Sequence, residues 1–222
     1  MKKLIAPALA AFALTAMCAL AADTPAGKTF KPDAEGFIRN WLILDPITTP
    51  TVEHTETDEK PIFAKEYFKD QLTVTPKAGD KVKVADKDRT WRAFASNDQV
   101  IDLVQFASDN GNETESVIFW GVAYINVDND LKDVKLAIGS DDSSVWWVNG
   151  KEVIRVYDSR AATADDNVSA PITLTKGVNV VRFAVTQGDG PGGAVARFLD
   201  AANKPVMGLT IALDPPAATP AK

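Results

Sequence analysis

Short runs of Val, Ile, Phe and Trp recur along most of this chain, separated by clusters of Gly, Asp, Asn and Pro. The longest run, 116–127 (SVIFWGVAYINV), is apolar at nearly every position, which is typical of a central strand covered on both faces. Further strands are predicted at 134–138, 145–148, 151–156, 171–174, 178–185, 194–199 and 206–213. Many short strands with frequent turn signals predict an all-β sandwich.

The first part of the chain carries weaker signals. We interpret 37–44 as a first strand, 48–60 as a polar loop and 61–72 as a segment with a short helix around 64–68. The domain organisation that follows is a flexible leader over 22–36, a single β-sandwich domain over 37–213 and a disordered Pro/Ala tail over 214–222.

The N-terminus has the pattern of an export signal. Lys2 and Lys3 precede a mostly apolar stretch at 4–20, and small residues near Ala21 suit cleavage, so residues 1–21 are predicted to be a signal peptide. Retention of this stretch as an anchor and lipid attachment at Cys18 are the two alternatives. We expect an exported protein, periplasmic or extracellular, with no membrane span after cleavage.

The net charge and the cysteine count exclude a class of binding partner and a class of cross-link. The chain has 24 basic and 30 acidic residues, a formal charge of −6, and loss of two lysines with the signal makes it −8. Such a chain repels phosphate backbones, so no nucleic-acid partner is expected. Cys18 is the only cysteine, so the mature chain would hold no disulfide.

Asn149-Gly150 is the strongest hairpin signal, because both residues tolerate the positive φ of a two-residue turn. The turn is expected to pair Val148 with Lys151, Trp147 with Glu152, Trp146 with Val153 and Val145 with Ile154. The face with Trp147 is more apolar and is assigned to the core. Trp146 is therefore expected on the polar, accessible face beside Lys151 and Arg155.

Several segments resemble a galactose-binding-like domain of secreted bacterial proteins. They are LKDVKLAIGSDDSSVWWVNGKEVIRV, ITLTKGVNVVRFAVTQGDG and RFLDAANKPVMGL, and the opening FIRNWLILDPI is similar to the usual start of that domain. The resemblance covers 117–213 and, more loosely, 37–116. It implies a jelly-roll β-sandwich, a fold that hosts many roles.

Gly139-Ser140-Asp141-Asp142, followed by a Trp and an Asn-Gly turn, is similar to the Ser-Asp-Asp-Gly signature of PA14-type lectin domains. In some members of that family, adjacent Asp residues hold a calcium ion that in turn holds sugar hydroxyls. The resemblance implies Asp141 and Asp142 as calcium ligands. The alternative is that an Asp pair in a turn caps backbone N–H groups.

Five further residues are candidates for ligand binding. Trp146, Lys151 and Arg155 would form a platform in which an aromatic face stacks on a sugar ring, unless Trp146 packs under a loop or second layer. Asp189 lies in the Gly-rich loop at 187–193, and Arg197 follows it. In a jelly roll such loops often border the ligand site.

The residues give catalysis little support. His54 is the only histidine, in an acidic stretch that reads as solvated, and no nucleophile elbow, histidine metal set or nucleotide loop is present. We therefore expect a non-catalytic module and not an enzyme. Two hypotheses stay open. The first is a carbohydrate-binding module whose partner is a polysaccharide or glycan. The second is a structural module that contacts an envelope protein.

Overall fold

The computed structural model describes residues 27–215. The expected signal peptide, Cys18 and nearly all of the Pro/Ala tail lie outside the described residues. Two short helices are α1 (Glu56–Ala64) and α2 (Leu103–Asp109). The strands are β1 (Thr29–Phe30), β2 (Asn40–Leu44), β3 (Ile47–Thr48), β4 (Lys81–Val84), β5 (Lys87–Ala95), β6 (Ile101–Asp102), β7 (Val117–Val127), β8 (Leu131–Asp141), β9 (Ser144–Val148), β10 (Lys151–Val156), β11 (Asn167–Val168), β12 (Ile172–Leu174), β13 (Gly177–Gln187), β14 (Gly193–Leu199) and β15 (Leu209–Ala212).

The strands form two antiparallel sheets. The larger follows the order β10-β9-β13-β7-β2-β5-β4, with β3 and β15 also paired to β7 and β1 paired to β15. The smaller follows β11-β8-β14-β6, with β12 beside β8. The central strand predicted at 116–127 is confirmed as β7, which pairs with β13 along its whole length. The all-β sandwich predicted from the sequence is confirmed.

The main core lies between the two sheets. Trp41, Trp146 and Phe183 meet there, with ring centroids 5.1–6.0 Å apart, and all three are fully buried. Aliphatic side chains of the smaller sheet, such as Leu136 and Ile138 on β8, close the other side. Burial of these large side chains supplies the main stabilisation of the sandwich.

The outer face of the larger sheet is also buried. We call residues 49–80 the cover segment, because Phe63 and Phe68 of this segment pack on Trp120 and its neighbours. Trp120 and Trp147 stack with centroids 5.7 Å apart beneath it. Arg182 on β13, 2% exposed, donates hydrogen bonds to backbone carbonyls of the segment. The larger sheet therefore has an apolar layer on each face.

The hairpin confirms one half of the predicted register and corrects the other. Asn149 and Gly150 have positive φ, and Val148 pairs with Lys151 as expected. A bulge at Val153 then shifts the pairing, so that Trp146 lies opposite Ile154. Bulges of this kind are not encoded in the period-two pattern.

Trp146 is not accessible, contrary to the sequence-based expectation. Its exposed fraction is 0%, and its indole Nε1 donates to Ser144 Oγ at 3.0 Å inside the core. The alternative considered for Trp146, packing under a second layer, is the one found. Trp147 points to the other face and is 6% exposed, under the cover segment.

Two further predictions in the first part of the chain are wrong. The helix expected around 64–68 begins earlier, at α1 (56–64), so its first five residues fall in the stretch assigned to a polar loop. Thr55 caps it, and Glu56, Asp58 and Glu59 fill its first turn, where negative charge suits the helix dipole. The leader predicted over 22–36 contains β1, which pairs with β15, so residues 29–30 belong to the sheet.

Candidate functional site

A cleft of about 620 Å³ opens at one end of the sandwich, where β8 and β13 end and β7, β9 and β14 begin. We call it the acidic cleft. Its lining residues are Thr51, Val52, Glu53, His54, Glu115, Ser116, Asp141, Asp142, Ser159, Arg160, Gly188, Asp189 and Pro191. Five of them are carboxylates and one is an arginine, so the cleft is strongly negative.

Asp142 is held rigidly at the floor of the acidic cleft. Its Oδ1 accepts from the Arg160 backbone N–H at 3.2 Å and from the Ser159 hydroxyl at 3.4 Å. Its Oδ2 accepts from the Gly188 N–H at 3.1 Å and lies 3.2 Å from His54 Nε2. Because a carboxylate offers about four lone-pair positions, these contacts engage nearly all of its capacity.

His54 connects the acidic cleft to the cover segment. The residue is 7% exposed, and its Nδ1 lies 2.5 Å from Glu59 Oε1. Glu59 is fully buried and also accepts from the Thr186 hydroxyl at 2.8 Å. A Cβ at Gly188 would lie 2.6 Å from His54 Nε2, so the close approach of this imidazole requires glycine there.

This arrangement corrects the picture of a solvated His54. Both ring nitrogens face carboxylates, Glu59 on one side and Asp142 on the other. No ring nitrogen is left to accept a proton from a serine, which a Ser-His-Asp arrangement would require. The histidine therefore serves to hold the cleft wall against the end of the sandwich.

Asp141 differs from its neighbour. It is only partly buried, and its carboxylate takes part in no side-chain hydrogen bond with the described residues. Burial and, to a smaller extent, the adjacent Asp142 charge raise the pKa of Asp141 to about 6, while His54 and Arg160 oppose the rise. Its oxygens are therefore free to receive a donor or cation from a ligand.

The other candidate residues are only partly brought together. Asp189 lines the acidic cleft with Asp141 and Asp142. The Gln187 side chain donates to the carbonyl of Asp189 at 2.8 Å, which fixes this part of the Gly-rich loop. The Gly-rich loop therefore contributes Gly188, Asp189 and Pro191 to the wall of this cleft.

Lys151, Arg155 and Arg197 lie outside the acidic cleft. Lys151 is exposed beside the hairpin turn, and Arg155 donates to Glu152 at 2.8 Å and to the Tyr157 hydroxyl at 2.9 Å. Arg197 forms an ion pair with Asp165 and lies over the Phe37 ring, 4.5 Å from its centroid. The platform expected around Trp146 is therefore not formed, because its indole is in the core.

A calcium ion in the acidic cleft would have to be held by the oxygen atoms of the cleft wall. Calcium prefers oxygen ligands, and Asp141 supplies a free carboxylate whose charged form is disfavoured by burial, a penalty that a cation would relieve. Asp142 adds negative charge but has its oxygens engaged. No group of three or more metal-binding side chains occurs within 27–215. Asp141 is therefore the residue of this pair whose carboxylate oxygens are open to a cation.

No protein-family model matches the chain, and no curated protein does. Among solved structures, an anti-sigma factor domain-containing protein is similar over 54% of this chain (13% identity, TM-score 0.41), and the chain spans 40% of its length.

Two PA14 domains are similar over more of the chain. The match to a PA14 sugar-binding domain from an RTX adhesin covers 78% of this chain and 96% of that domain, with 12% identity and a TM-score of 0.45. The match to the PA14 domain of the MpAFP antifreeze protein covers 84% of this chain and 96% of that domain, with 13% identity and a TM-score of 0.40. At these values the similarities do not assign a family.

Within 27–215, neither α1 nor α2 is long and apolar enough to cross a bilayer.

Proposed function

We propose that this chain is an exported, non-catalytic module that recognises a carbohydrate in the acidic cleft. The observation that carries the proposal is the contrast between the two adjacent aspartates. Asp142 is locked in place by four contacts, while Asp141 presents an unengaged carboxylate to a 620 Å³ cleft. The galactose-binding-like and PA14-type assignments remain predictions of the sequence.

The chemistry of the cleft suits hydroxyl groups. Sugar hydroxyls donate hydrogen bonds, and carboxylates are the strongest neutral-pH acceptors for them. Asp141 and Asp189 would accept from adjacent hydroxyls, and the hydroxyls of Thr51 and Ser116 would add weaker contacts. The same negative charge disfavours phosphate-bearing ligands, so a nucleotide or nucleic acid does not suit this cleft.

A calcium ion is the second element of the proposal. Asp141 would hold it, and Asp189 and backbone carbonyls of the rim would complete the protein's share of the ligands. When bound, such an ion coordinates ligand hydroxyl oxygens directly. Asp142 would act through its charge, which His54 and the Gly188 N–H hold in position.

A glycan array run in calcium and in chelator tests the proposal. The wild-type protein should bind a subset of glycans, and Asp141→Asn should lower the signal about tenfold or more, since a charge-assisted contact is lost. Asp128→Asn is the matched control. It changes an exposed aspartate just before β8, at the strand end opposite to Asp141, and should bind as the wild type does.

Each result of the array has a meaning. Binding that disappears in chelator supports the calcium site, and binding that persists supports direct hydrogen bonding to the carboxylates. Equal binding by wild type and Asp141→Asn would refute the placement of the site. Silence across all glycans, with co-purification of an envelope protein, would favour the second hypothesis, a structural module.

A further inference from the structure

A second cleft of about 480 Å³ lies between the β4–β5 hairpin and the cover segment. We call it the basic cleft, because Lys65, Lys87 and Arg89 line it. Ile47, Tyr67 and Val84 form apolar parts of its wall. In a chain with a net charge of −6, this is a local concentration of positive charge.

Arg89 is the unusual residue of the basic cleft. Its side chain is more than nine-tenths buried, and its Nε is sealed from solvent without any hydrogen-bond partner. Nη1 has only a long contact, 3.4 Å to Asn112 Oδ1. Among residues 27–215, no carboxylate lies within 4.0 Å of this guanidinium. A buried charge without a partner is costly, so the fold retains Arg89 at an energetic disadvantage.

The sheet register explains why the charge points into the cleft. Arg89 pairs with Val82, and Lys87 pairs with Val84. Side chains two residues apart share a face, so Arg89 and Lys87 lie on the same side of β5 as buried Trp91. That side faces the cover segment, where the Lys65 ammonium lies 4.9 Å from the Tyr67 ring centroid.

Two acidic residues also line the basic cleft. They are Glu66 and Asp86, and neither forms an ion pair within 4.0 Å of Lys65, Lys87 or Arg89 among the described residues. The three cations therefore exceed the two carboxylates, and Arg89 in particular is not neutralised at contact distance.

We propose that the basic cleft binds the carboxylate of a small organic anion. The planar guanidinium matches a carboxylate in a two-point hydrogen bond. Arg89 lines the cleft and has no carboxylate within 4.0 Å among residues 27–215, so a ligand carboxylate would supply the missing partner of its charge. Lys65 and Lys87 add charge at the rim. Ile47 and the Tyr67 ring offer an apolar wall to the body of the ligand. A free organic acid and an acidic sugar share this chemistry.

Amide NMR titrations at constant ionic strength test the proposal with three probes. Acetate supplies the carboxylate alone, glucuronate supplies a carboxylate on a sugar ring, and glucose supplies the ring without charge. We expect saturable shifts at 65–67 and 84–89 with acetate or glucuronate, and none there with glucose. Glucuronate at least about tenfold tighter than acetate would indicate an acidic sugar, and equal affinities a free organic acid.

Variants separate the site from general charge attraction. Arg89→Lys keeps the charge but removes the planar fork, and we expect the dissociation constant to rise about tenfold. Lys87→Gln should raise it about threefold. Lys83→Gln is the matched control, an exposed lysine of β4 whose pairing with Asp88 places it on the opposite face of the hairpin.

Two results would overturn the proposal. One is the absence of saturable shifts at 65–67 and 84–89 with any probe. The other is an equal rise of the dissociation constant in Lys83→Gln and Lys87→Gln, which would show unspecific charge attraction. This second comparison can be made even if Arg89→Lys does not fold. The proposal does not depend on sugar recognition in the acidic cleft, since Asp141→Asn should leave these shifts unchanged.

Discussion

The two faces of the larger sheet are both apolar and both buried, but they are covered in different ways. The inner face packs on a second sheet through regular strand pairing. The outer face packs under the cover segment, where single side-chain contacts fasten the backbone, such as Tyr124 Oη to the Pro76 carbonyl at 2.7 Å. The difference teaches that the sandwich provides stability, while the irregular cover provides the cleft wall that includes His54.

The largest expected effect is on the inner face. Trp146→Ala would leave a cavity beside Trp41 and Phe183, and the free energy of unfolding should fall by about 3–5 kcal/mol. Urea denaturation followed by far-UV circular dichroism measures this loss. Val168→Ala, at a 45% exposed position, should change the value by less than about 0.5 kcal/mol. Similar losses in both variants would contradict the inner-face assignment.

A truncated side chain on the outer face should lower stability less than one on the inner face, and its effect should stay near the cover segment. Phe68 packs edge-to-face on Trp91 and Trp120, with centroids 6.3 and 5.7 Å apart. Phe68→Ala should cost about 2–3 kcal/mol, because a surface segment can partly collapse into the space. Amide hydrogen exchange should accelerate in α1 while β7 and β13 stay protected. Uniform acceleration through both sheets would mean that the cover and the sandwich unfold together.

The next prediction concerns the contact between the cover segment and the acidic cleft. Glu59→Gln replaces the buried carboxylate that lies against His54 and Thr186, and it should lower stability by about 1–3 kcal/mol. Thermal denaturation measures the loss. Glu56→Gln, an exposed residue in the same helical turn, is the control and should have little effect. If Glu59→Gln and Glu56→Gln lower the stability equally, the buried Glu59 contact does not fasten the cover segment.

The smallest effect is expected at Asp141, and it has the opposite sign. The pKa of this carboxyl in the folded state is raised to about 6, above its unfolded value of 3.8. The stability it contributes is therefore present below about pH 4 and is lost as pH rises through 6. Asp141→Asn should raise the melting temperature at pH 7.5. The gain in the free energy of unfolding should be less than about 1 kcal/mol, because solvent screens a partly exposed charge.

The pH dependence provides the control for that prediction. The difference in melting temperature between Asp141→Asn and the wild type should shrink towards zero at pH 4. A variant that is less stable than the wild type at pH 7.5 would show that Asp141 has a structural role. Gain of stability with loss of binding is the pattern expected of a functional residue.

The sequence predicted the strands whose patterns are strong. The apolar run of β7 and the Asn149-Gly150 turn are local signals, and both appear as expected. The burial of Trp146 could not be deduced, because the bulge at Val153 places Ile154 opposite Trp146 and the second sheet covers that face. The face that carries Trp147 is covered by a segment that lies about 70–100 positions earlier in the chain. Alternation identifies two faces but not what covers them.

The acidic cleft was predictable in part. Asp141 and Asp142 were named from the resemblance to a lectin signature and Asp189 from its place in the Gly-rich loop, and all three line the cleft. His54, which lines the cleft, and the buried Glu59 that contacts it were missed, although Thr55 followed by an acidic turn is a recognisable helix start. The contacts of His54 with Asp142 and of Glu59 with Thr186 are long-range, and one sequence carries no local signal for such contacts.

The central claim is that a sugar binds where the cover segment meets the end of the sandwich. Amide NMR of the wild-type protein, titrated with a panel of neutral methyl glycosides in the presence of calcium, tests its location directly. Saturable shifts should be confined to 51–54, 141–142 and 188–189 and should vanish in Asp141→Asn. Shifts that cluster elsewhere, or that persist unchanged in Asp141→Asn, would contradict the account.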